Sequence, residues 1–110
     1  MTEADEYAVK VETERALLSG VMRLESVQSY AQIFLPLRAA LSAAAGSFEL
    51  DTSELVFLNS SGIRALGEVV LFARAEHKGL LISGAAAIPW QRKTFSSLQK
   101  VHDQIEVRLR

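Results

Sequence analysis

Asn59-Ser60-Ser61-Gly62 stands between an apolar run, Leu55-Val56-Phe57-Leu58, and an amphipathic stretch that begins at Ile63. Asn and Ser are among the side chains that best satisfy the unpaired N–H groups at a helix start, so the spacing reads as a capped strand-to-helix turn. The same place offers chemistry. A helix N-terminus presents free N–H groups and the positive end of the helix dipole. A phosphate on Ser60 would be favoured there by about 0.3–1 kcal/mol if exposed. It would also bring about −1.5 to −2 charge units to a neutral surface, enough to stop a partner from burying it. Arg64 follows Ser60 by four residues. It can reach such a phosphate, or pair with Glu68 one turn further on for roughly 0.2–0.5 kcal/mol.

Other chemistry-bearing residues are sparse. Cysteine is absent, which excludes a disulfide framework, a thiolate zinc site and a cysteine nucleophile. His77 and His102 are the only histidines, and their spacing makes no metal cage. They read as groups serving a helix end or facing solvent. No Gly-x-Ser-x-Gly turn exists, and no histidine is placed to act as a base for Ser60. Gly62 and Gly67 fit neither a Walker nor a dinucleotide loop. Glu49, Asp51 and Glu54 read as solvent-facing or turn-capping groups rather than an acid–base pair. Arg92 and Lys93 form a small basic patch beside Trp90, without the aromatic interleaving of a nucleic-acid surface. Trp90 reads as an anchor of the last helix, with an interface role as the alternative. The chain is therefore expected to work without catalysis, metal or cofactor.

The whole chain sets the frame. Its 110 residues suffice for one domain and one core, so a single domain over residues 1–110 is expected. Hydrophobic residues make up 49% and charged residues 23%, the balance of a folded protein. A formal net charge of −1 points to neither a polyanion nor a polycation as partner. Met1 to Glu6 is polar and acidic, unlike a secretory signal. The apolar runs are too short to span a membrane, so a cytoplasmic location is expected.

The elements that must position the turn follow from periodicity. Tyr7, Val9 and Val11 alternate with polar neighbours as a strand does. Arg15 to Leu24 reads as a second strand with Ala16, Leu18, Gly20, Met22 and Leu24 on one face, and Gly20 marks a bulge or close backbone approach. Ser26 can cap a helix carrying Val27, Tyr30, Phe34, Leu37, Leu41 and Ala44, kinked or broken at Pro36 and ending near Gly46. Phe48–Leu50 and Leu55–Leu58 read as extended pieces separated by a polar turn, Asp51-Thr52-Ser53-Glu54. A helix through Ile63, Leu66, Val70 and Ala73 runs to about His77, with Gly79 as its left-handed C′ residue. Leu80–Ser83 is a buried strand, Pro89 opens a last helix through Trp90, Phe95, Leu98 and Val101, and Ile105, Val107 and Leu109 form an edge strand. The order is β-β-α-β-α-β-α-β, which favours a mostly parallel central sheet with helices packed on it. The oligomeric state is open, although an edge strand ending at Arg110 can pair with another copy.

Leu50-Asp51 and Val56-Phe57-Leu58-Asn59-Ser60-Ser61-Gly62-Ile63-Arg64-Ala65-Leu66 resemble the signature of STAS domains, the anti-sigma factor antagonists of the SpoIIAA/RsbV type. The resemblance covers nearly the whole chain and is strongest from Phe48 to Leu66. It implies a STAS-like α/β fold and a phosphoacceptor serine at Ser60, with Ser61 as the alternative. It also implies a partner-binding surface including Arg23, Asn59, Ser60, Ser61, Gly62 and Arg64. The implied partners are a GHKL-type serine kinase, often itself the anti-sigma factor, and a PP2C-type phosphatase. Two positions depart from the pattern. Asn59 replaces the usual Asp before the serine, and Gly20-Val21-Met22-Arg23 carries a cation where the family tends to carry an acid. Ile88-Pro89-Trp90-Gln91 resembles a subgroup of bacterial STAS-like regulators. Together these imply a divergent branch with its own partner.

Overall fold

The computed structural model describes residues 6–110, so the reading of the extreme N-terminus lies outside the described residues. The elements are β1 (Tyr7–Val11), β2 (Arg15–Met22), α1 (Val27–Ile33), α2 (Leu35–Ala43), β3 (Phe48–Leu58), α3 (Ser60–Ala75), β4 (Leu80–Gly84), α4 (Pro89–Gln99) and β5 (Ile105–Leu109). The sheet order is β1-β2-β3-β4-β5. β1 runs antiparallel to β2, and the other neighbours are parallel, so β2 to β5 all end on one side. The mixed α/β architecture is the one the element order implies.

One sheet face carries the core. Ala16, Leu18, Met22, Phe48, Leu50, Leu55, Leu58, Leu80 and Ile82 merge with Tyr30, Phe34, Leu37, Leu41, Leu66, Val70 and Phe95 from the helices. The other face bears Arg15, Leu17, Glu49, Asp51 and Leu81, all half-buried. Arg15 donates to Asp51 at 2.9 Å there and lies 3.6 Å from Glu49. Burial pushes the Asp51 carboxyl up, but hydrogen bonds from the Ser53 N–H and hydroxyl, with Arg15 and Arg110 nearby, hold it below its ordinary value.

The polar stretch Asp51-Thr52-Ser53-Glu54 is not a turn. It lies inside β3, which is continuous over 11 residues. Phe48, Leu50 and Thr52 are buried at intervals of two, then Leu55 and Leu58 at intervals of three. The longer steps coincide with two register shifts against β2, between Leu17 and Ser19 and between Gly20 and Val21. Each shift is a bulge that absorbs an extra residue on β3 and re-aims the side chains after it. Thr52 is fully buried and its hydroxyl donates to the Ser83 carbonyl at 2.7 Å, which lets a polar residue continue the strand. Ser53 turns its N–H and hydroxyl to Asp51 Oδ1.

Beyond Asp51, β3 no longer pairs with β4. Gln91 on α4, with no exposed surface, takes over: Nε2 donates to the Thr52 and Leu55 carbonyls at 2.7 and 3.1 Å, and Oε1 accepts from the Ala85 N–H at 2.8 Å. Gly20 meets both of its expectations. Its φ is 87°, and a Cβ there would stand 2.1 Å from the Glu6 carbonyl oxygen.

Two boundaries differ from the sequence reading, those of β2 and α3. β2 ends at Met22, because the Leu24 N–H and C=O are claimed by side chains of the candidate site. Of the kink or break expected near Pro36, the structure has the break, at Phe34 (φ −91°, ψ 0°), with Pro36 in the first turn of α2. The left-handed residue ending α3 is His77 (φ 58°), not Gly79. The Lys78 N–H reaches the Ala73 carbonyl at 2.9 Å and the His77 N–H reaches Arg74 at 3.1 Å, a Schellman closure. Gly79 serves close approach instead, since a Cβ there would lie 3.1 Å from Ser47 Oγ. A left-handed non-glycine residue costs about 1–2 kcal/mol, partly offset by its smaller unfolded-state entropy. His77→Gly is therefore expected to stabilise the fold by about 0.5 kcal/mol, read as a higher midpoint in urea denaturation.

His102 does not face solvent. It is 5% exposed and its Nε2 bonds the Lys78 carbonyl at 2.8 Å, so the neutral ring carries its proton on Nε2. Trp90 is half-buried and anchors α4 as expected: its Nε1–H donates to the Val56 carbonyl at 3.0 Å, and its ring meets Phe95 edge-on at 5.6 Å.

Candidate functional site

The N-terminus of α3 follows the end of β3, on the side where the four parallel strands finish. Functional groups collect on that side of open parallel sheets. Asn59 is the cap, with extended backbone (φ −76°, ψ 177°), and its Oδ1 accepts from the Gly62 N–H at 3.0 Å. The same Oδ1 accepts from the Tyr30 hydroxyl at 2.7 Å, while Nδ2 donates to the Leu24 carbonyl at 2.9 Å. The Tyr30 oxygen in turn accepts from the Leu24 N–H at 3.3 Å. Leu24, Tyr30 and Asn59 thus form a closed ring of hydrogen bonds that ties the β2–α1 loop and α1 to the start of α3. Burial pushes the Tyr30 hydroxyl pKa up, and the Leu24 N–H partly offsets this.

The ring explains the amide at position 59. A carboxylate could accept the same two bonds, but its second oxygen would face the Leu24 carbonyl with no proton between them. Loss of the usual acid is thus matched by a carbonyl that needs a donor.

Gly62 is buried directly beneath. A Cβ there would lie 2.3 Å from Leu58 Cδ1 and 2.8 Å from Tyr30 Cζ, so only glycine lets α3 sit this close to its neighbours. Ser60, the first residue of α3, is exposed. Among the described residues its hydroxyl forms no hydrogen bond. Ser61 is half-buried.

Arg64 is exposed one turn below Ser60. Of its two alternatives, the pair with Glu68 is not made: Glu68 lies 3.9 Å from Arg38 instead, and among the described residues Arg64 has no ion-pair partner. Arg23 stands at the adjoining loop, since the Asn59 N–H bonds the Met22 carbonyl at 3.2 Å. Its guanidinium lies 5.2 Å from the centre of the Phe57 ring and 3.8 Å from Glu6. The structure therefore gathers the sequence-predicted residues around one turn.

Val56 and Phe57 were not foreseen as surface. They are 59% and 40% exposed, forming an apolar ledge beside the turn. Their composition reads as buried strand; Val56 faces out by alternation from buried Leu55, and the second bulge, which has no side-chain signature, turns Phe57 outward as well. Tyr30 was read as core, and its hydroxyl's role in the cap has no signal in spacing. Gln91 was part of a recognised segment, but nothing in the sequence marks it as buried. No group of His, Asp or Glu side chains among the described residues is arranged to hold a metal ion. No described helix is long and apolar enough to cross a membrane.

No protein-family model matches the chain, and no curated protein matches it in sequence. Solved structures do match. SiaC of Pseudomonas aeruginosa superposes with a TM-score of 0.75 at 14% identity, over 100% of this chain and 93% of SiaC. A chain in the crystal structure of the diguanylate cyclase SiaD in complex with its activator SiaC, also from Pseudomonas aeruginosa, gives 0.72 at 14% identity, over 94% of this chain and 92% of that one. Among the described residues, five strands, mostly parallel, and four helices in this order give the chain the STAS-like fold of SiaC.

Proposed function

We propose that the chain is a non-catalytic, cytoplasmic partner-switching regulator, a single STAS-like domain over residues 1–110, controlled by reversible phosphorylation of Ser60. The observation that carries this reading is an exposed serine hydroxyl, without a hydrogen-bond partner among the described residues, at the first position of a helix whose cap is rigidly held. Ser61, half-buried, is the alternative acceptor. A phosphate on Ser60 faces the N–H groups of the first turn and lies within one turn of Arg64. Beside it stand Val56, Phe57 and Arg23, a surface able to bury against a partner. The unmodified turn docks at little desolvation cost. The phosphorylated turn must strip water from a dianion to do the same, and the partner leaves.

By the resemblance, the kinase is of GHKL type and the phosphatase of PP2C type. SiaC is an activator of the diguanylate cyclase SiaD, and this supports an output through a partner enzyme as an alternative to an anti-sigma factor. A second reading, an interaction module that is never phosphorylated, draws on the neutral Asn59, whose amide has a structural duty of its own. A small-ligand sensor at this turn draws no support from the hollows around Arg15 and Glu49 and around Ser47 and His77, which open at the other end of the strands.

Intact-mass measurement after incubation with ATP and the cognate kinase tests the acceptor. The expected result is a gain of one phosphate by wild type and Ser61→Ala, and none by Ser60→Ala. A gain that persists in Ser60→Ala moves the site, and no gain in any form favours the unphosphorylated module.

A further inference from the structure

β5 ends the sheet, and its outer edge has the chemistry of a self-pairing strand. The Leu80 N–H donates to the Gln104 carbonyl at 3.0 Å, the Arg110 N–H donates to Gly84 at 3.1 Å, and the Ala86 N–H donates to the Arg110 carbonyl at 2.8 Å. The even-numbered residues therefore turn their backbone groups toward β4. By strand alternation, Ile105, Val107 and Leu109 turn theirs outward. The edge is guarded only by its shortness and by the charges of Glu106 and Arg108. Its register with β4 is unbroken from Ile105 to Leu109, and it contains neither proline nor lysine.

The sequence of this edge is chemically symmetric: apolar, acid, apolar, base, apolar across Ile105-Glu106-Val107-Arg108-Leu109. An antiparallel pairing about a two-fold axis at Val107 sets Val107 opposite Val107, Ile105 opposite Leu109, and Glu106 opposite Arg108. This register brings together only outward-turned residues as hydrogen-bonded pairs. It leaves Glu106 and Arg108 as non-hydrogen-bonded pairs, where side chains approach most closely. Glu106 and Arg108 already associate within one strand, at 2.7 Å from Nε to the carboxylate, and both are exposed. Pairing converts that contact into a four-charge ladder of alternating sign. On the helix side, Val107 and Leu109 line a shallow hollow with Arg92, Ser96 and Gln99 of α4, and a second copy's Ile105 and Leu109 would pack beside it.

We infer that the β5 edge is a homodimerisation surface, joining two copies of this chain in antiparallel register about Val107. It shares no residue with the Ser60 turn.

Sedimentation equilibrium of the full chain at low salt tests this. Wild type is expected to show a concentration-dependent monomer–dimer equilibrium. Arg108→Glu sets acid against acid and Glu106→Arg sets base against base; each alone is expected to weaken the dimer at least about tenfold. An equimolar mixture of the two variants restores opposite charges across the axis and is expected to dimerise about as well as wild type. Val107→Pro removes an outward N–H while sparing the β4 ladder, and is expected to be monomeric. Recovery in the mixture shows that both single variants are folded. Wild type that remains monomeric at the highest concentration reached overturns the inference. So does a dimer indifferent to these substitutions, or a mixture that fails to associate.

Discussion

Gln91→Leu is expected to lower the stability of the fold by about 3–5 kcal/mol, one of the largest effects of any single substitution outside the apolar core. Leucine nearly preserves the volume, so the loss isolates the polar contacts. Three backbone groups depend on this amide: the carbonyls of Thr52 and Leu55 and the N–H of Ala85. All three lie where β3 has left its register with β4, so no strand neighbour can replace the lost partner. Each stranded buried group costs about 1–3 kcal/mol, and the total falls short of a simple sum because the bulge can relax. Gly84 limits that relaxation: a Cβ there would already be 2.3 Å from Gln91 Oε1, so the strand end and the amide are fitted together. Urea denaturation followed by circular dichroism reads the effect as a shift in midpoint at unchanged slope.

Asn59→Ala is expected to cost about 2–3 kcal/mol, more than an ordinary helix cap. A cap substitution typically costs about 1 kcal/mol, through a single lost bond to the first turn. Here the change also strands the Tyr30 hydroxyl and the Leu24 carbonyl. Tyr30→Phe in the same background supplies the check. Because both substitutions break the same ring, the double variant is expected to lose less than the sum of the two single losses, by about 0.5–1 kcal/mol. Full additivity would mean that the ring does not act as a unit.

The sequence made the architecture legible where one signal dominated. Alternating Tyr7-Val9-Val11 and Ile105-Val107-Leu109, the three- and four-residue spacing of Ile63, Leu66, Val70 and Ala73, and Pro89 at a helix start each became the element they imply. The Asn59-Ser60-Ser61-Gly62 turn was legible because residue type and position agreed. β3 was misread because Asp51-Thr52-Ser53-Glu54 has the composition of a turn. The partners that make it a strand, Arg15, Ser83 and Gln91, are remote in sequence. The same bulging turned Phe57, beside the outward Val56, into surface. His77 took the left-handed position because the Schellman bonds fix where α3 must close, and the nearby Gly79 is held by its contact with Ser47. In each case a tertiary contact overrode a local preference.

The central claim is that charge on Ser60 decides whether a partner docks. Parallel affinity capture with wild type, Ser60→Ala and Ser60→Asp, with matched thermal melts to show equal folding, tests it most directly. The account predicts that wild type and Ser60→Ala retain the same partner protein and that Ser60→Asp releases it. Equal capture by all three forms would contradict it.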